Sequence, residues 1–266
     1  NDNLLDLRKL NSSLEGHPIP SSKLKWIKVA TGSLGQGLSV GLGMALAAKL
    51  QNRKFRVYVL LGDSEVAEGE VYEALQLASF YKLNNLIAIV DINRLGQRGE
   101  TIVGHNIALY KKRFKGFGWN IFTCDGHNIK QLLKVFSKVK NSKKPSIILA
   151  KTIKGKGVGF LEDKERWHGT ALNKHQLNLA LRLIPNPEMP VIKIKKPTVS
   201  SVKLNNKTAL KSLKITNYQI RSKVSTREAY GNALANLVVK NKTILAIDAE
   251  VSDSTKSEKV KQVKPR

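Results

Sequence analysis

The stretch from Arg56 to Ile92, RVYVLLGDSEVAEGEVYEALQLASFYKLNNLIAIVDI, decides the fold because strand-like and helix-like patterns alternate within it. Arg56 to Leu61 and Leu86 to Ile92 are short apolar runs typical of buried strands, and Val66 to Tyr81 has helical spacing of its apolar residues. A strand, a helix and a strand in this order predict a right-handed crossover between parallel strands. We therefore expect an α/β fold with a parallel sheet flanked by helices.

Polar residues follow each of the two predicted strands, as Gly62-Asp63-Ser64-Glu65 and as Asn93-Arg94-Leu95. Because the carboxyl ends of parallel strands meet at one edge of a sheet, we expect Asp63 and Asn93 to be neighbours. The Asp63 carboxylate, the Asn93 amide oxygen and a backbone carbonyl near Leu95 would supply the oxygen ligands that Mg²⁺ prefers. In the plainer alternative, Asp63 caps the following helix and Asn93 closes a turn.

A wider family resemblance begins at these residues. A Gly-Asp pair, a helix and then an asparagine at this distance resemble the thiamine diphosphate signature that a superfamily of enzymes shares. Five segments are similar to animal-type transketolases, and because their order and spacing also fit, the resemblance extends over essentially the whole chain. They are Leu4 to Pro20 (LLDLRKLNSSLEGHPIP), Ala30 to Leu38 (ATGSLGQGL), Tyr81 to Gln97 (YKLNNLIAIVDINRLGQ), Lys151 to Gly157 (KTIKGKG) and Glu162 to Gly169 (EDKERWHG).

The resemblance implies an enzyme that transfers a two-carbon ketol unit from a ketose phosphate to an aldose phosphate in the non-oxidative pentose phosphate pathway. Its cofactors would be thiamine diphosphate and Mg²⁺ (or Ca²⁺). The cofactor would carry the difficult chemistry, and the protein would supply binding, orientation and proton transfer. The resemblance also implies sugar-phosphate substrates and a homodimer with its active sites at the subunit interface.

Individual residues take roles from the same resemblance. His17 and His168 are expected to be catalytic and to contact substrate, with His168 also at the diphosphate, because histidine can shuttle protons near neutral pH. Taken singly, each would be a structural histidine of a loop. The implied metal ligands are Asp63, Asn93 and Leu95. The implied cofactor contacts are Gly32, Leu34, Gly62, Asp63, Ser64, Glu65, Asn93, Gln97, Lys154 and His168. The implied substrate-phosphate contacts are Arg227 and Ser254.

Four local features bear on these roles. Ser64 stands where the family usually has glycine: with a negative φ it can donate a further hydrogen bond, and with a positive φ its strain would weaken cofactor binding. Glu65 is expected at the subunit interface, although an acid in a first helical turn is also simply favourable to the helix dipole. Thr31 to Gly37 (TGSLGQG) has the wrong glycine spacing for a dinucleotide fingerprint and predicts a glycine-rich turn that opens a helix. Ala249 and Glu250 replace a more usual Gly-Asp pair.

The net charge of +26 makes nucleic acid or another polyanion a rival partner. The lysines lie in separate stretches, aromatic residues make up only 6% of the chain, and sugar phosphates would be attracted by the same field, so nucleic acid is disfavoured. No apolar run approaches the roughly 20 residues of a membrane span. The single cysteine, Cys124, excludes an internal disulfide and suits a reducing cytoplasm. We expect Cys124 to be a core residue of a strand over Asn120 to Cys124.

Composition and periodicity divide the chain into residues 1–185, a linker rich in lysine and proline over 186–224, and residues 225–266, with a helix over Thr226 to Val239 and a strand over Thr243 to Asp248. The resemblance implies that the first region is the diphosphate-binding domain and that the last is the start of a pyrimidine-binding domain. Relative to the family both ends are expected to be missing, including the glutamate that activates the cofactor, so this piece alone should be inactive. A diverged or truncated non-catalytic transketolase-like protein is the alternative, followed by a basic polyanion-binding protein. A related enzyme of the same cofactor class, which makes deoxyxylulose phosphate, is disfavoured because the segments NRLGQ and WHG fit animal-type transketolases better.

Overall fold

The chain builds two compact units, which divide between residues 189 and 190. The computed structural model describes residues 5–21, 23–184, 218–241, 243–248 and 251–264. Most of the predicted linker and the Ala249-Glu250 pair lie outside the described residues. The predicted domain boundaries at 185/186 and 224/225 therefore stay predictions.

Strands and helices alternate along the first unit. Its strands are β1 (Val57–Gly62), β2 (Leu86–Ile92), β3 (Asn120–Asp125) and β4 (Ser146–Lys151). Its helices are α1 (Gln36–Leu50), α2 (Gly69–Phe80), α3 (Ile107–Gly116), α4 (Ile129–Val139) and α5 (Lys174–Leu183). The side chains of Asn106, Asn128 and Asn173 accept backbone N–H groups in the first turns of α3, α4 and α5. These caps explain where the three helices begin.

The four strands run parallel in the order β1-β2-β4-β3. Gly62 of β1 lies beside Asp91 of β2, Ile92 of β2 beside Lys151 of β4, and Asp125 of β3 also beside Lys151. The carboxyl ends of all four strands therefore lie at one edge. The predicted parallel sheet flanked by helices is confirmed, and the strand predicted over Leu86 to Ile92 has the predicted bounds.

Successive strand residues point to opposite faces of the sheet, and helices pack on both faces, although β1 is exposed on one of them at Leu60. On one face, Leu61 and Val90 pack in a cluster with apolar residues of α1, α2 and α3. On the other face, Ile87 and Ile148 pack with apolar residues of α4. Cys124 belongs to this second cluster, as predicted, and burial raises the pKa of its thiol. The core thus holds the carboxyl ends of the strands in fixed register.

The helix predicted over Val66 to Tyr81 is interrupted in the structure. Glu65–Ala67 form a 3₁₀ turn, Glu68 is extended with φ −69° and ψ 135°, and α2 begins only at Gly69. The apolar spacing does not reveal this break, because both pieces bury side chains in the same cluster. The consequence is a short turn, directly after β1, at the carboxyl edge of the sheet.

In the second unit, the described residues form the helices α6 (Thr226–Lys240), α7 (Ser252–Thr255) and α8 (Lys259–Val263). The helix predicted over Thr226 to Val239 is confirmed. The strand predicted over Thr243 to Asp248 is wrong: these residues form no strand, and every sheet pairing among the described residues belongs to β1 to β4. A strand needs a neighbour for its backbone hydrogen bonds. Instead, Asp248 Oδ2 accepts hydroxyl hydrogen bonds from Thr255 (2.9 Å) and Ser257 (3.0 Å).

The surface of the described residues is strongly basic. Two of the lysine stretches are exposed, at Lys111, Lys112, Lys115, Lys138, Lys143 and Lys144, whereas Lys256, Lys259 and Lys264 near the end of the chain are half-buried. Within the described ranges, no helix is both long enough and apolar enough to cross a membrane. The stretch from Lys193 to Lys214 lies outside those ranges.

Two adjacent residues of β1 offer a matched test of the core. Leu61 is 1% exposed, and Leu60 is 70% exposed. Leu61→Ala should lower the free energy of unfolding by about 2 to 5 kcal/mol because it leaves a cavity. Leu60→Ala should change it by less than about 1 kcal/mol. Urea denaturation of both variants measures the difference, and equal losses would contradict the assignment of Leu61 to the core.

Tyr110 of α3 supplies a prediction about pH. It is 1% exposed, and burial raises the pKa of its phenol from 10.0 to about 12 because the charged form loses hydration. The folded chain therefore holds this proton more tightly than the unfolded chain, so the stabilisation is present below pH 10 and is lost as the pH rises to about 12. Relative to Tyr110→Phe, the parent chain should lose up to about 3 kcal/mol of unfolding free energy over that interval. Denaturation at several pH values measures this, and parallel curves for the two proteins would contradict it.

Candidate functional site

Asp63 lies directly after β1, in the turn at the carboxyl edge of the sheet. Its side chain is buried, with Oδ1 accepting the N–H of Ser64 (2.9 Å) and Oδ2 accepting the N–H of Arg94 (2.5 Å). Burial raises the pKa of the Asp63 carboxyl, and the two backbone donors oppose that rise. The Arg94 bond crosses from the end of β1 to the end of β2. The predicted proximity of the Asp63 and Asn93 segments is therefore confirmed.

The loop after β2 folds back over this carboxylate. Asn93 Oδ1 accepts the N–H of Leu95 (3.1 Å), and Arg94 has a positive φ of 63°. Leu95 pairs with Glu100 across a hairpin-like bridge. A left-handed backbone costs a residue other than glycine about 1 to 2 kcal/mol. The turn thus brings the Arg94 backbone against Asp63 and keeps Asn93 Oδ1 on the Leu95 N–H, so Asn93 does close a turn, as the plainer alternative expected.

Glu65 connects three segments of the same edge. Its Oε1 accepts the N–H of Gly35 (3.0 Å), and its Oε2 accepts the N–H of Gly62 (3.0 Å). Gly35 has φ 88°, and a Cβ there would lie 2.9 Å from the Glu68 Cβ. The glycine-rich turn that opens α1 is therefore confirmed, and its position depends on the Glu65 carboxylate. The expected place of Glu65 at a subunit interface stays a prediction.

Ser64 has φ −72°, so the strained alternative for this residue does not apply. Its backbone lies in the ordinary helical region, where serine and glycine are both accommodated. The Ser64 side chain is exposed and lies beside Gly96. A Cβ added to Gly96 would lie 3.6 Å from the Ser64 Cβ. The replacement of glycine by serine therefore leaves the backbone of the turn unstrained.

Lys154 and His168 approach this edge from the segment after β4. Lys154 Nζ donates to the carbonyl oxygen of Leu95 (3.2 Å) and lies 3.4 Å from His168 Nδ1. Lys154 is half-buried and His168 is exposed. A cation and an imidazole thus lie next to the loop that carries Asn93 and Leu95.

The remaining expected residues fall into two groups. His17 packs against Gly32, where a Cβ would lie 2.9 Å from the His17 Cβ, and Leu34 is 45% exposed nearby in sequence. Gln97 is exposed in the loop after β2. Arg227 and Ser254 lie in the second unit, in α6 and α7, and both are exposed.

Several interactions at this edge were absent from the sequence reasoning. The Arg94 guanidinium forms a two-point ion pair with Asp163, and the hydroxyl of Thr152 donates to Asp91. The Arg94 contact lowers the pKa of the Asp163 carboxyl. The sequence did place both partners of the Arg94–Asp163 pair in segments of interest, because Arg94 stands between two expected metal ligands and Asp163 stands in the EDKERWHG segment. Opposite charges far apart in sequence do not by themselves reveal their pairing.

Two histidines without an assigned role prove to be structural. His105 Nε2 lies 3.0 Å from the carbonyl oxygen of Thr152, and His127 Nε2 accepts the N–H of Ile153 (2.8 Å). Both hold the chain directly after β4. A cavity of about 340 Å³ borders Asp63 and Ser64 on the side of Tyr110 and Arg113. It gives the turn after β1 a second open side.

The residues at this edge fit a divalent cation and an anionic cofactor. A buried carboxylate, a side-chain amide oxygen and a backbone carbonyl form the hard oxygen set that Mg²⁺ and Ca²⁺ select. A cation beside Asp63 would stabilise the charged carboxylate against its burial, and Lys154 supplies a counter-charge for diphosphate. Among the residues that the structure describes, no group of three or more His, Cys, Asp or Glu side chains is arranged to hold a metal. The expected metal ligands differ from such a group, because they comprise one carboxylate, one side-chain amide oxygen and one backbone carbonyl.

A family model described as the thiamine diphosphate binding domain of transketolase matches residues 1–249. The chain belongs to the transketolase family. Human transketolase is 42% identical over 270 residues, which cover 98% of this chain and 42% of the human protein. This chain therefore spans less than half the length of that relative.

Two crystal structures of transketolases are similar to the chain. Transketolase from Campylobacter jejuni gives a TM-score of 0.79 at 28% identity, over 97% of this chain and 45% of that chain. A transketolase from Pichia stipitis, in complex with sedoheptulose-7-phosphate, gives a TM-score of 0.53 at 32% identity, over 59% of this chain and 25% of that chain. The transketolase fold thus extends over the described sheet and helices.

Glu65→Gln tests the connection between the two glycine segments. An amide can accept only one of the two N–H groups and turns its own NH₂ toward the other, so the variant should lose about 1 to 3 kcal/mol of unfolding free energy. Glu73→Gln makes the same change at an exposed position of α2 and should have little effect. Thermal denaturation compares the two. A Glu65→Gln variant as stable as Glu73→Gln would contradict the connecting role.

Proposed function

We propose that the chain supplies the diphosphate and metal side of a transketolase, the enzyme that transfers a two-carbon ketol unit from a ketose phosphate to an aldose phosphate. The observation that carries this proposal is the grouping of Asp63, Asn93 and Leu95 with Lys154 and His168 at one edge of the sheet. Membership of a family named for thiamine diphosphate binding gives that grouping its ligand. When bound, the cofactor supplies the carbon nucleophile and the electron sink of ketol transfer.

The residues of this edge divide the work of holding the cofactor. Asp63, Asn93 and the Leu95 carbonyl would hold Mg²⁺, which in turn binds diphosphate oxygens. Lys154 would neutralise diphosphate charge, and the Gly62–Glu65 turn, whose Gly62 and Ser64 N–H groups already bond Glu65 and Asp63, would lie beside the diphosphate. Gly32, Leu34 and Gln97 would contact the rest of the cofactor.

His17 and His168, which are both exposed, are suited to proton transfer. His17 lies against Gly32, and His168 lies beside Lys154. Both are open to a substrate, and imidazole can donate and accept a proton near neutral pH. Arg227 and Ser254 would bind the substrate phosphate, for which a guanidinium offers a paired set of donors.

Substrate, assembly and location complete the proposal. The Pichia stipitis relative is in complex with a sugar phosphate, and the charge of +26 would attract such anions. We place the reaction in the non-oxidative pentose phosphate pathway. A homodimer would complete each active site at the subunit interface, and the single buried Cys124 suits the cytoplasm.

Cofactor binding tests the proposal directly. Isothermal titration with thiamine diphosphate should give saturable binding that depends on Mg²⁺. Asp63→Asn removes the only charged metal ligand and should weaken this binding about tenfold to a hundredfold. Asp125→Asn makes the same change at the carboxyl end of β3, where the side chain bonds only the N–H of His127 among the described contacts, and should leave binding unchanged.

Two results would contradict the proposal. One is a chain that binds no thiamine diphosphate in the presence of Mg²⁺. The other is equal binding by Asp63→Asn and Asp125→Asn, which would remove Asp63 from the site. Ketol transfer between pentose phosphates, measured on the same preparation, separates a catalytic protein from one that only binds the cofactor.

A further inference from the structure

Arg94 occupies a singular position in the proposed site, because it stands between two expected metal ligands and contacts a third. Its backbone N–H donates to Asp63 Oδ2 (2.5 Å), and its carbonyl accepts the N–H of Thr101 (2.8 Å). Its φ is 63°, in the left-handed region. Glycine would adopt this backbone without strain. Because other arginines and lysines of the chain also adopt a positive φ, the case for a role rests on the contacts that the Arg94 side chain makes.

The Arg94 side chain reaches across to the segment that follows β4. Its Nε donates to Asp163 Oδ1 (2.9 Å) and its Nη2 to Asp163 Oδ2 (2.8 Å), while its Nη1 lies 3.5 Å from Glu100 Oε2. A two-point guanidinium–carboxylate contact fixes both distance and orientation, which a single-point contact cannot do. Asp163 also has a positive φ, of 56°. Both partners of the pair are therefore held in an unfavourable backbone conformation.

The segment that Asp163 belongs to carries two of the expected cofactor contacts. The Asp163 N–H donates to the carbonyl of Lys154 (2.9 Å), which closes residues 154–163 into a loop. Within it, Val158 is buried and its carbonyl accepts the N–H of Leu161 (2.7 Å). His168 follows five positions after Asp163 and lies 3.4 Å from Lys154 Nζ. The Arg94–Asp163 pair therefore joins this loop to the Asp63 turn.

We propose that Arg94 is a positioning residue, which through Asp163 holds the 154–168 segment against the Asp63 turn and so sets Lys154 and His168 for the diphosphate. This inference rests on the proposed function, since it concerns the same cofactor. Most ion pairs between exposed side chains contribute little. This pair differs because it connects the expected metal loop with the expected diphosphate contacts, and loss of such a supporting contact typically weakens metal-site affinity tenfold or more.

Two matched variants in one loop test whether the Arg94–Asp163 pair supports cofactor binding or contributes little, as most exposed ion pairs do. Asp163→Asn removes the charge that pairs with Arg94. Glu162→Gln makes the same chemical change one residue earlier, where the carboxylate contacts Lys156 (2.9 Å) and the N–H of Gly157 (3.2 Å) and has no described contact with Arg94. Titration with thiamine diphosphate in Mg²⁺ should show about tenfold weaker binding for Asp163→Asn and less than a twofold change for Glu162→Gln. Equal affinities for the two variants would overturn the inference.

A double-mutant cycle tests whether the pair acts as a unit. Arg94→Gly removes the guanidinium and relieves the left-handed backbone, although it also adds backbone freedom to the loop. It should match Asp163→Asn, and the double variant should bind no more weakly than either single variant. Additive losses would overturn the pairing, and so would a glycine variant that binds as tightly as the parent. Arg94→Lys, which keeps the charge without the two-point contact, should recover affinity only in part.

A fluorescence measurement reads the segment without any cofactor. Trp167 is half-buried in the segment and stacks edge-to-face on Phe160, with ring centroids 6.2 Å apart. Trp26 is 76% exposed and can be replaced by Phe, and Trp119 is 3% exposed and should stay shielded. In this background, Asp163→Asn should increase acrylamide quenching of Trp167, and Glu162→Gln should not. Unchanged quenching in Asp163→Asn would overturn the holding role.

The two measurements distinguish failure of the inference from failure of the proposed function. A parent chain that binds no thiamine diphosphate would overturn the proposed function, and quenching would still judge whether Arg94 holds the segment. A parent chain that binds, with an Asp163→Asn variant of equal affinity, would overturn only the inference.

Discussion

The hydrogen bond from the Arg94 N–H to Asp63 Oδ2 is the interaction on which the site depends. It joins the end of β1 to the end of β2 through a buried carboxylate, at an edge where both strands leave the sheet. The parallel register, with Gly62 beside Asp91, brings these ends together. Among the described contacts, Asp63 accepts only backbone N–H groups and pairs with no cationic side chain.

Other parts of the fold support this edge from three directions. Glu65 holds the opening turn of α1 to the end of β1. Lys154 and the Arg94–Asp163 pair hold the segment after β4 to the loop after β2. Beneath them, the two apolar clusters on opposite faces of the sheet keep the strand ends in register. The site is therefore made by short polar contacts between loops, on a scaffold fixed by apolar packing.

Sequence patterns predicted much of this arrangement, for physical reasons that can be named. Buried parallel strands are nearly continuous apolar runs, so β2 was bounded correctly from its composition. Asp63 and Asn93 could be paired because strand topology alone brings them together. The break at Glu68 was missed because it leaves the apolar spacing unchanged, and the strand over Thr243 to Asp248 was predicted wrongly because apolar composition does not report whether a partner strand exists. The Arg94–Asp163 pair depends on loop conformations with positive φ, which residue types do not reveal.

The site combines acidic residues with a chain that is basic overall. The chain is strongly basic overall, yet Asp63, Asp91 and Asp163 lie at the carboxyl edge of the sheet. Each of the three carboxylates accepts a hydrogen bond from a specific donor. Such an edge can hold a metal ion and still face a surface that attracts phosphates.

The most direct test of this account is a crystal structure of the chain grown with thiamine diphosphate and Mn²⁺, in which anomalous scattering locates the metal. The account predicts one Mn²⁺ bound by the Asp63 carboxylate, the Asn93 amide oxygen and the Leu95 carbonyl, and a metal bound away from these three groups would contradict it.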